Sequence, residues 1–411
     1  MIFGIANIVA GGPIYNSNKI KFLKDNGWNV IVFPTDSGDV LIKTLEEYNS
    51  NPCEFLCFSP YILGKRKTNH FIEYMAKKIP KFDEAIIETG TDYTALWGEL
   101  LAKKIGARHI VMFLDETNER VNNFSASFYE FKYQRDELYS ISEKSILHIF
   151  SPYFKITNPE RNVWEAHCSN SVAEIDSNLV DSLPNADYMI GSIGRLDKTF
   201  VPNIIKGVCL FADEHKDNKI GLCLFGGADK KYINQIYETI NVHKNIEVFI
   251  SGYIWPIPQN IFSKFDVFIS GAGSAYVSAN MNIPTINMDV ITNKPIGFVD
   301  NASTSHNIPI SNKKNDVRDY LNEVLINSNS PKIMGRVTIE EQWQNICKDF
   351  NSQVEQIESL DNNLQYFDTY KIWDHRKGQK LLRLIAHITS YKFFILIIKI
   401  YNWIRGNGFE I

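Results

Sequence analysis

Residues 265–289 read FDVFISGAGSAYVSANMNIPTINMD. An apolar run ends at Ser270, the glycines of 271–274 follow, a small-residue helical pattern continues to Met281, and a second apolar run starts behind Pro284. This order predicts a strand, a tight loop, a helix and a strand. In a parallel α/β sheet such a loop lies at the carboxyl end of a strand and opens a helix, whose free N–H groups can hold a phosphate. A full G-x-G-x-x-G pattern is missing, so the alternative to ligand binding is that the glycines only relieve steric crowding in the turn between strand and helix.

The same alternation extends in both directions from this stretch. In the second half it predicts strands at 188–193, 219–225 and 246–250, with helices at 202–214 and 230–240 between them. The predicted elements of the first half are strands 2–10, 29–34, 85–88, 109–114 and 146–150 and helices 14–26, 93–105 and 125–144. Repeated βαβ units imply parallel sheets.

The length of 411 residues exceeds one ordinary core, and the periodicity fails between residues 158 and 184. We therefore predict an α/β protein with two doubly wound Rossmann-like domains that face a cleft. Residues 1–184 form the first domain, 185–335 form the second, and 336–411 are helices returning to the first, with an amphipathic tail at 377–411. Ligands are expected at the carboxyl ends of the two sheets.

Composition narrows the class of protein. The net charge of −4 argues against nucleic-acid binding through a globally basic surface. The six cysteines show no zinc spacing, which favours a reduced cytosolic setting. The apolar start at 1–12 has no preceding basic region and is interpreted as a first buried strand. The most apolar later stretch, 381–404, is interrupted by Arg383, His387, Lys392 and Lys399.

A basic loop follows the first strand of the second domain, in the segment 191–198, GSIGRLDK. Arg195 offers a forked cation and Lys198 a point charge, a combination that suits a diphosphate. The alternative is a solvated basic loop with no ligand.

Four blocks of the second half together resemble the donor domain of GT-B glycosyltransferases that use nucleotide sugars. They are IGRLDK at 193–198, LCLFGGADKKY at 222–232, NIEVFISGYI at 245–254 and FDVFISGAGSAYVSANMNIPTI at 265–286. At the amino end, NIVAGGPIYNSNKIKFLKDNGWNVIVF at 7–33 resembles the first strand, glycine loop and helix of the acceptor domain in those enzymes. The likeness is closest to bacterial surface-polysaccharide enzymes of glycosyltransferase group 1.

The resemblance implies roles for the residues that match. For the donor diphosphate they are Arg195, Lys198, Gly11, Gly12, Gly273 and Ser274. For the nucleotide and the sugar they are Gly252, Tyr253, Ile254, Ser270, Gly271 and Ser278. The paired glycines Gly226 and Gly227 match a strand-end turn near the donor, where a purely conformational role is the alternative.

Two positions depart from the family pattern. Many retaining members place two glutamates, separated by seven residues, where this chain has Ser270 and Ser278. Serine can hydrogen-bond a sugar hydroxyl but supplies no charge, so retaining stereochemistry is not implied. Two alternatives to a glycosyltransferase stay open: a catalytically silent GT-B subunit that binds a partner transferase or a glycan, and a sugar-nucleotide epimerase.

An inverting reaction needs a base for the acceptor hydroxyl. Asp115 and Glu116 follow the strand at 109–114 and are the best placed carboxylates, with helix capping or pairing with Arg120 as the alternative. Glu88 is a weaker candidate, and His109 is interpreted as structural. No Asp-x-Asp pair lies in a suitable loop, whereas the basic residues could neutralise the leaving diphosphate, so the enzyme is predicted to be metal-independent and without a cofactor. The resemblance implies a nucleotide-sugar donor, which we expect to be UDP- or GDP-linked.

The tail combines aromatic and aliphatic residues with Lys392, Lys399 and Arg405, a composition that suits a helix lying on an anionic membrane. The alternative is a terminal helix packed across the first domain. The sequence thus predicts a glycosyltransferase of bacterial surface polysaccharide synthesis, with a lipid-linked or growing glycan as acceptor. We expect it to be cytoplasmic and peripheral on the inner face of the cytoplasmic membrane.

Overall fold

The computed structural model describes residues 2–3, 11–35, 42–48, 53–90, 93–114, 121, 123, 125–168, 170–175, 177–299, 316–327, 338–372 and 379–404. The chain divides into two compact units. Unit 1 comprises Met1–Asn7, Lys19–Ala166 and Asp349–Ile411, and unit 2 comprises Ile8–Asn18 and His167–Lys348.

Strands and helices alternate through most of the chain. The strands are β1 Ile2–Phe3, β2 Val32–Phe33, β3 Ile86–Thr89, β4 Arg108–Phe113, β5 Leu138–Ser140, β6 Val172–Ala173, β7 Tyr188–Ile193, β8 Ile220–Phe225, β9 Ile246–Ile250, β10 Ile257–Pro258, β11 Val267–Gly271, β12 Thr285–Met288 and β13 Pro295–Phe298. The helices are α1 Gly11–Asp25, α2 Lys43–Glu46, α3 Pro60–Lys77, α4 Tyr93–Ile105, α5 Ala126–Gln134, α6 Glu143–Phe150, α7 Val201–Glu214, α8 Lys230–Ile240, α9 Gly273–Asn280, α10 Val317–Leu321, α11 Ile339–Glu358, α12 Gln379–Ile388 and α13 Tyr391–Ile404.

Unit 1 contains a parallel five-stranded sheet in the order β2-β1-β3-β4-β5. All six residues of β4 are buried, as expected of a strand covered on both faces. One apolar cluster includes Trp97 and Leu101, and a second includes Phe113 and Phe150. The parallel α/β class predicted from the sequence is confirmed in this unit.

Two predicted elements of unit 1 are wrong. The predicted helix at 125–144 stops after α5, where the chain turns at Asp136 with φ 54° and continues as β5. The predicted strand at 146–150 belongs to α6, because the Ser142 hydroxyl accepts a hydrogen bond from Ser145 N at 3.0 Å and caps a helix there. β5 is held instead by parallel pairing with β4.

Unit 2 contains a six-stranded sheet in the order β13-β12-β11-β7-β8-β9. The pairs from β12 to β9 are parallel, as predicted, and β13 is an antiparallel edge strand that the sequence pattern did not reveal. The first long strand, β7, is central. The chain passes from it to β8 and β9 on one side and later to β11 and β12 on the other.

The C-terminal residues pack within unit 1. Phe350 of α11 lies 5.5 Å from Phe22 of α1, and Phe394 of α13 lies 5.2 Å from Phe58, measured between ring centroids. The tail forms two helices rather than one, since Ser390 lies between them and its hydroxyl accepts a hydrogen bond from Phe393 N at 3.3 Å. Within the described ranges, no helix has the length and hydropathy needed to cross a bilayer.

Candidate functional site at the strand ends of unit 2

The strand order of unit 2 reverses between β7 and β11. In open parallel sheets, ligands bind outside the carboxyl ends of the strands at such a reversal, because the loops there diverge and leave a crevice. The loop after β7 carries Gly194, Arg195 and Lys198, and the loop after β11 leads to Ser274 at the start of α9. A Cβ placed on Gly194 would lie 3.7 Å from the Ser274 hydroxyl oxygen. The two loops singled out in the sequence are therefore neighbours.

Close backbone contact joins the loops after β7 and β8. Leu196 N donates to the Gly227 carbonyl at 3.1 Å. A Cβ on Gly226 would overlap the Gly194 carbonyl, and one on Gly227 would lie 2.7 Å from the Tyr253 ring. Both glycines are required because backbone or an aromatic ring occupies the space that a side chain would need. The geometry therefore supports a conformational role for Gly226 and Gly227.

Arg195, Asp197 and Tyr253 are brought together at these loops. Arg195 Nε lies 3.3 Å from Asp197 Oδ1, with the side chains 33% and 34% exposed. Burial raises the pKa of Tyr253, the Asp197 carboxylate raises that pKa further, and Arg195 opposes the increase. Lys198 is exposed and forms no ion pair with the residues that the structure describes. Sequence reasoning did not single out Asp197, although it stands two residues after Arg195.

The entry to α9 is strained. Ala272 has φ 51° and ψ −142°, a conformation that residues with a Cβ rarely adopt. Such outliers persist only where surrounding structure imposes them, and they are concentrated at ligand sites. The next residues, Gly273 and Ser274, begin α9, so their N–H groups belong to the first helical turn, which has no intrahelical acceptor. Gly271 is tightly enclosed, since a Cβ there would lie 2.8 Å from the Phe200 ring.

Ser270 and Ser278 are fully buried, each 0% exposed. The Ser270 hydroxyl accepts a hydrogen bond from Ile193 N at 3.0 Å and so ties β11 to the end of β7. The Ser278 hydroxyl lies 2.8 Å from the Thr285 hydroxyl and within hydrogen-bonding distance of the Ala275 carbonyl. A sugar would have to displace these bonds to reach either hydroxyl. The role of the two serines towards a donor stays a prediction.

The remaining predicted donor residues lie on loops and one helix start. Gly252 has φ 71°, and Ile254 packs against the apolar core that contains Phe225. Gly11 and Gly12 begin α1, and a Cβ on Gly11 would lie 3.3 Å from Cys168 Cβ. Their contact with a nucleotide or its phosphates stays a prediction.

The predicted bases Asp115 and Glu116 lie outside the described residues. Glu88 is used in unit 1, where its carboxylate lies 2.5 Å from Lys19 Nζ, and Gln353 Oε1 accepts from the same amine at 2.9 Å. Burial lowers the pKa of Lys19, while Glu88 opposes the decrease. Within the described part of the chain, no group of three or more His, Cys, Asp and Glu side chains could hold a metal ion.

His109 belongs to a buried ionic cluster of unit 1, which we define as Glu99, His109, Lys132 and Glu137. Glu99 Oε2 lies 2.7 Å from His109 Nδ1 and 2.6 Å from Lys132 Nζ, and Lys132 Nζ lies 2.9 Å from Glu137 Oε2. Glu99 also accepts from Phe367 N at 2.6 Å, which ties the C-terminal segment to the sheet.

Each member of the ionic cluster perturbs its neighbours. Burial lowers the pKa of His109, and Lys132 lowers it further, although Glu99 opposes both. Burial would raise the pKa of Glu99, but Lys132 and His109 outweigh it and bring that pKa to about 2. With every member no more than 2% exposed and paired, the cluster is structural, as predicted for His109.

Comparison with solved structures shows the fold. A glycosyltransferase from Rickettsia africae ESF-5 is 16% identical, with 99% of each chain covered and a TM-score of 0.52. Anabaena Alr3699/HepE, solved in complex with UDP, is 11% identical over 87% of this chain and 99% of that one, with a TM-score of 0.55. UDP-GlcNAc 2-epimerase from Neisseria meningitidis, bound to UDP-GlcNAc, is 13% identical over 95% of this chain and 99% of that one, with a TM-score of 0.41.

No family model and no curated protein matches the sequence. At these identities the structural likeness shows the fold alone, which is the GT-B fold predicted from the sequence.

Proposed function

We propose that this chain is a glycosyltransferase that transfers a sugar from a nucleotide diphosphate to a lipid-linked or growing glycan of a bacterial surface polysaccharide. The observation that carries the proposal is the group of loops at the strand-order reversal of unit 2, where Arg195 stands beside Tyr253 and the start of α9. The GT-B fold is consistent with it, and one solved structure of that fold holds UDP.

The chemistry suits departure of a diphosphate. When the bond between the sugar's anomeric carbon and the diphosphate breaks, negative charge develops on the leaving oxygen. The guanidinium of Arg195 would stabilise that charge by donating paired hydrogen bonds, and the ammonium of Lys198 would stabilise it as a point charge. The N–H groups of Gly273 and Ser274 would donate further hydrogen bonds to it. The acceptor oxygen forms the new bond, and its proton passes to a base, for which Asp115 and Glu116 are our candidates. Because protein cations supply this neutralisation, we propose a metal-independent reaction with a UDP- or GDP-linked donor.

A thermal-shift titration with UDP and GDP tests the donor site. A nucleotide present at 100 times its Kd should stabilise the wild type by about 2.7 kcal/mol. Arg195→Ala should weaken that nucleotide at least about tenfold, as expected for the loss of a charge-assisted hydrogen bond. Lys219→Ala is the matched control, because Lys219 is exposed just before β8, at the opposite edge of the same sheet.

The burial of Ser270 and Ser278 favours a second candidate, a catalytically silent subunit that binds a partner transferase or a glycan. In that case neither hydroxyl needs to meet a sugar. No saturable stabilisation by any nucleotide would support the silent subunit and contradict the enzyme. Conversion of the donor sugar without an acceptor would instead indicate an epimerase.

The membrane part of the proposal rests on the two tail helices. Each exposes an apolar stripe on one face while its opposite face packs on unit 1. On α12 the exposed residues are Leu381 at 61%, Leu384 at 59% and Ile388 at 74%. On α13 they are Phe393, Leu396 and Ile400, at 44–53%. Exposed Lys380 and Lys392 flank the stripes and favour an anionic bilayer as the occupant.

Cosedimentation with anionic vesicles tests this contact. Leu381→Ser, Leu384→Ser and Ile388→Ser combined should abolish vesicle binding without unfolding unit 1, because the three side chains are mostly exposed. Val242→Ser is the control, since Val242 is 75% exposed but lies in unit 2. Undiminished binding by the triple variant would contradict the proposed contact.

A further inference from the structure

A cavity of about 280 Å³ opens in unit 1 between α3, α12 and the turn at Thr369–Lys371. It is lined by Tyr61, Gly64, Lys65, Asp368, Tyr370 and Arg383. None of these residues belongs to the donor site of unit 2. The lining combines two cations with two aromatic rings, which is a chemistry suited to a small anion.

Aromatic rings hold the two cations of this cavity, Arg383 and Lys65, in place without neutralising their charges. The Arg383 guanidinium lies 3.9 Å from the centre of the Tyr61 ring, and Lys65 Nζ lies 5.9 Å from the centre of the Tyr370 ring. An aromatic face attracts a cation through its quadrupole but leaves the formal charge in place. Stacking also holds a guanidinium flat, so its N–H groups remain directed outward along its edge.

The carboxylate in the lining, that of Asp368, binds a backbone N–H group and not the cations. Asp368 accepts a hydrogen bond from Tyr370 N at 3.3 Å and so caps its own turn. Among the residues that the structure describes, neither Lys65 nor Arg383 forms an ion pair. The Tyr370 hydroxyl donates to Asn69 Oδ1 at 3.0 Å, which fixes the ring beneath Lys65.

The shape of the cavity depends on a break in α3. Gly64 has φ 75° and ψ 157°, so the helix is interrupted just before Lys65. A Cβ on Gly64 would lie 3.3 Å from the His387 ring, so the two helices approach closely here. Only glycine tolerates both the positive φ and this approach. Lys67 supports the same junction by donating to the Thr389 carbonyl at 2.9 Å, at the end of α12.

The surroundings indicate which anion would enter. Arg383 lies about 100° around α12 from Leu384, on the flank of the exposed apolar stripe that we assign to the membrane surface. A bilayer in contact with that stripe would bring lipid phosphates to the level of Arg383. We propose that the cavity binds the phosphate group of an anionic phospholipid headgroup. This inference rests on the membrane contact proposed above, and it adds a specific headgroup site to it.

The experiment compares two vesicle types of equal zeta potential, one containing phosphatidylglycerol and one containing oleate as its anionic component. Attraction by net charge alone predicts equal binding, whereas a phosphate site predicts a preference for phosphatidylglycerol. We expect full-length wild type to bind the phosphatidylglycerol vesicles about tenfold more tightly, as for one forked Arg–phosphate contact.

Variants separate the site from general charge. Arg383→Lys keeps the charge but loses the fork, and Lys65→Ala removes the second cation, so each should reduce the preference to about threefold or less. Lys77→Ala is the matched control, because Lys77 is exposed on the same helix, twelve residues beyond Lys65, and it should retain the full preference. A preference that survives in both Arg383→Lys and Lys65→Ala would overturn the proposal.

Soluble sn-glycerol 1-phosphate separates a lipid headgroup from a free phosphate. We expect it to compete with vesicles only weakly, at millimolar concentration, because the bilayer contact is absent. Tight binding of the soluble compound by wild type that binds no vesicles would overturn the lipid assignment.

Failure of the headgroup site and failure of the proposed function have different signatures. Equal binding of wild type to both vesicle types overturns the site and leaves the membrane contact standing. Absence of all vesicle binding overturns both the headgroup site and the membrane contact. Nucleotide stabilisation in Arg383→Lys should equal that of wild type, so it reports on the donor site alone.

Discussion

In unit 1 the ionic cluster of Glu99, His109, Lys132 and Glu137 is sealed from solvent, and each charge has a partner at 2.6–2.9 Å. In unit 2, by contrast, Arg195 and Asp197 are a third exposed, their closest atoms are 3.3 Å apart, and Lys198 is exposed. Buried charges must be satisfied within the fold, because an unpaired charge there is strongly destabilising. Partly exposed charges lack that constraint and remain able to bind a ligand. Exposure and pairing, more than the presence of charged residues, distinguish structural charge from a candidate site.

Replacing Lys132 should produce the largest effect. Lys132→Met leaves Glu99 buried without its lysine partner, whereas Glu137 keeps Arg108 at 3.4 Å and Arg135 at 3.2 Å. We expect unit 1 to lose about 3–5 kcal/mol of unfolding free energy, mainly through the uncompensated charge of Glu99. Urea denaturation followed by tryptophan fluorescence measures the change, and exposed Lys103→Met on α4 serves as the control. Equal losses in the two variants would show that the cluster contributes no more than surface charge does.

The pH dependence of stability should reveal Glu99. Its pKa is about 2 in the folded chain against the ordinary 4.5, so its stabilisation is complete above pH 4.5 and is lost as the pH falls towards 2. The difference corresponds to about 3 kcal/mol. Between pH 5 and pH 2.5, wild type should lose more unfolding free energy than Glu99→Gln, which has no carboxyl at this position. Parallel pH profiles would contradict the assignment.

An alanine in place of Gly226, at the strand ends of unit 2, should reduce the unfolding free energy less but should also weaken nucleotide binding. Gly226→Ala forces the loop away from the Gly194 carbonyl, and we expect a loss of about 1–3 kcal/mol together with weaker nucleotide binding. Gly90→Ala is the matched control, since a Cβ there meets no atom within 4 Å. Nucleotide titration of both variants measures the difference. If Gly226→Ala bound as tightly as wild type, the Gly194 loop would not form part of the site.

Ser278→Ala asks whether this serine is structural. Loss of its bond to Thr285 should lower the unfolding free energy by about 1 kcal/mol, as for a typical buried hydrogen bond. Because the hydroxyl is 0% exposed, we expect nucleotide affinity to change by less than about twofold, or 0.4 kcal/mol. A larger fall in the affinity for a nucleotide sugar than for the nucleotide alone would restore a sugar contact.

The smallest effect is expected for Asp197→Asn. The side chain keeps an oxygen beside Arg195 but loses the negative charge that would repel a diphosphate, so we expect affinity for the nucleotide to rise about threefold. Stability should change little, because the Arg195–Asp197 pair is partly exposed. Isothermal titration of wild type and variant with the same nucleotide gives the ratio. A fall in affinity would mean that Asp197 acts mainly by orienting Arg195.

Much of unit 2 could be predicted from the chain. Short apolar runs and a helical period placed β7, β9 and α8 at the residues where the structure has them. The errors lie where tertiary contacts override local preference. β5 is a strand because it pairs with β4, and α3, which was not among the predicted elements, is anchored to the core of unit 1 by buried Ile72 and Met75.

The candidate site was predicted in part. Glycines and cations are visible in the sequence, so the Arg195 and Gly273 loops were both identified. Asp197 was missed, because an acidic residue in a basic loop has no distinctive pattern until its distance from Arg195 is known. The cavity around Arg383 was missed for a similar reason: one part of its lining, at 61–65, is about 300 positions in the sequence away from the other parts, at 368–370 and 383.

The sequence by itself determined the α/β alternation, the positions of the strand-end glycines and the identity of the cations, because these follow from local periodicity and residue chemistry. Only the tertiary structure decided the strand order, which places the β7 and β11 loops side by side. It also decided that Ser270 and Ser278 are buried, and that the charges of the ionic cluster are paired whereas Arg195 is partly exposed. Strand order, burial and pairing each depend on residues far apart in the chain, and no local pattern encodes the distance between them.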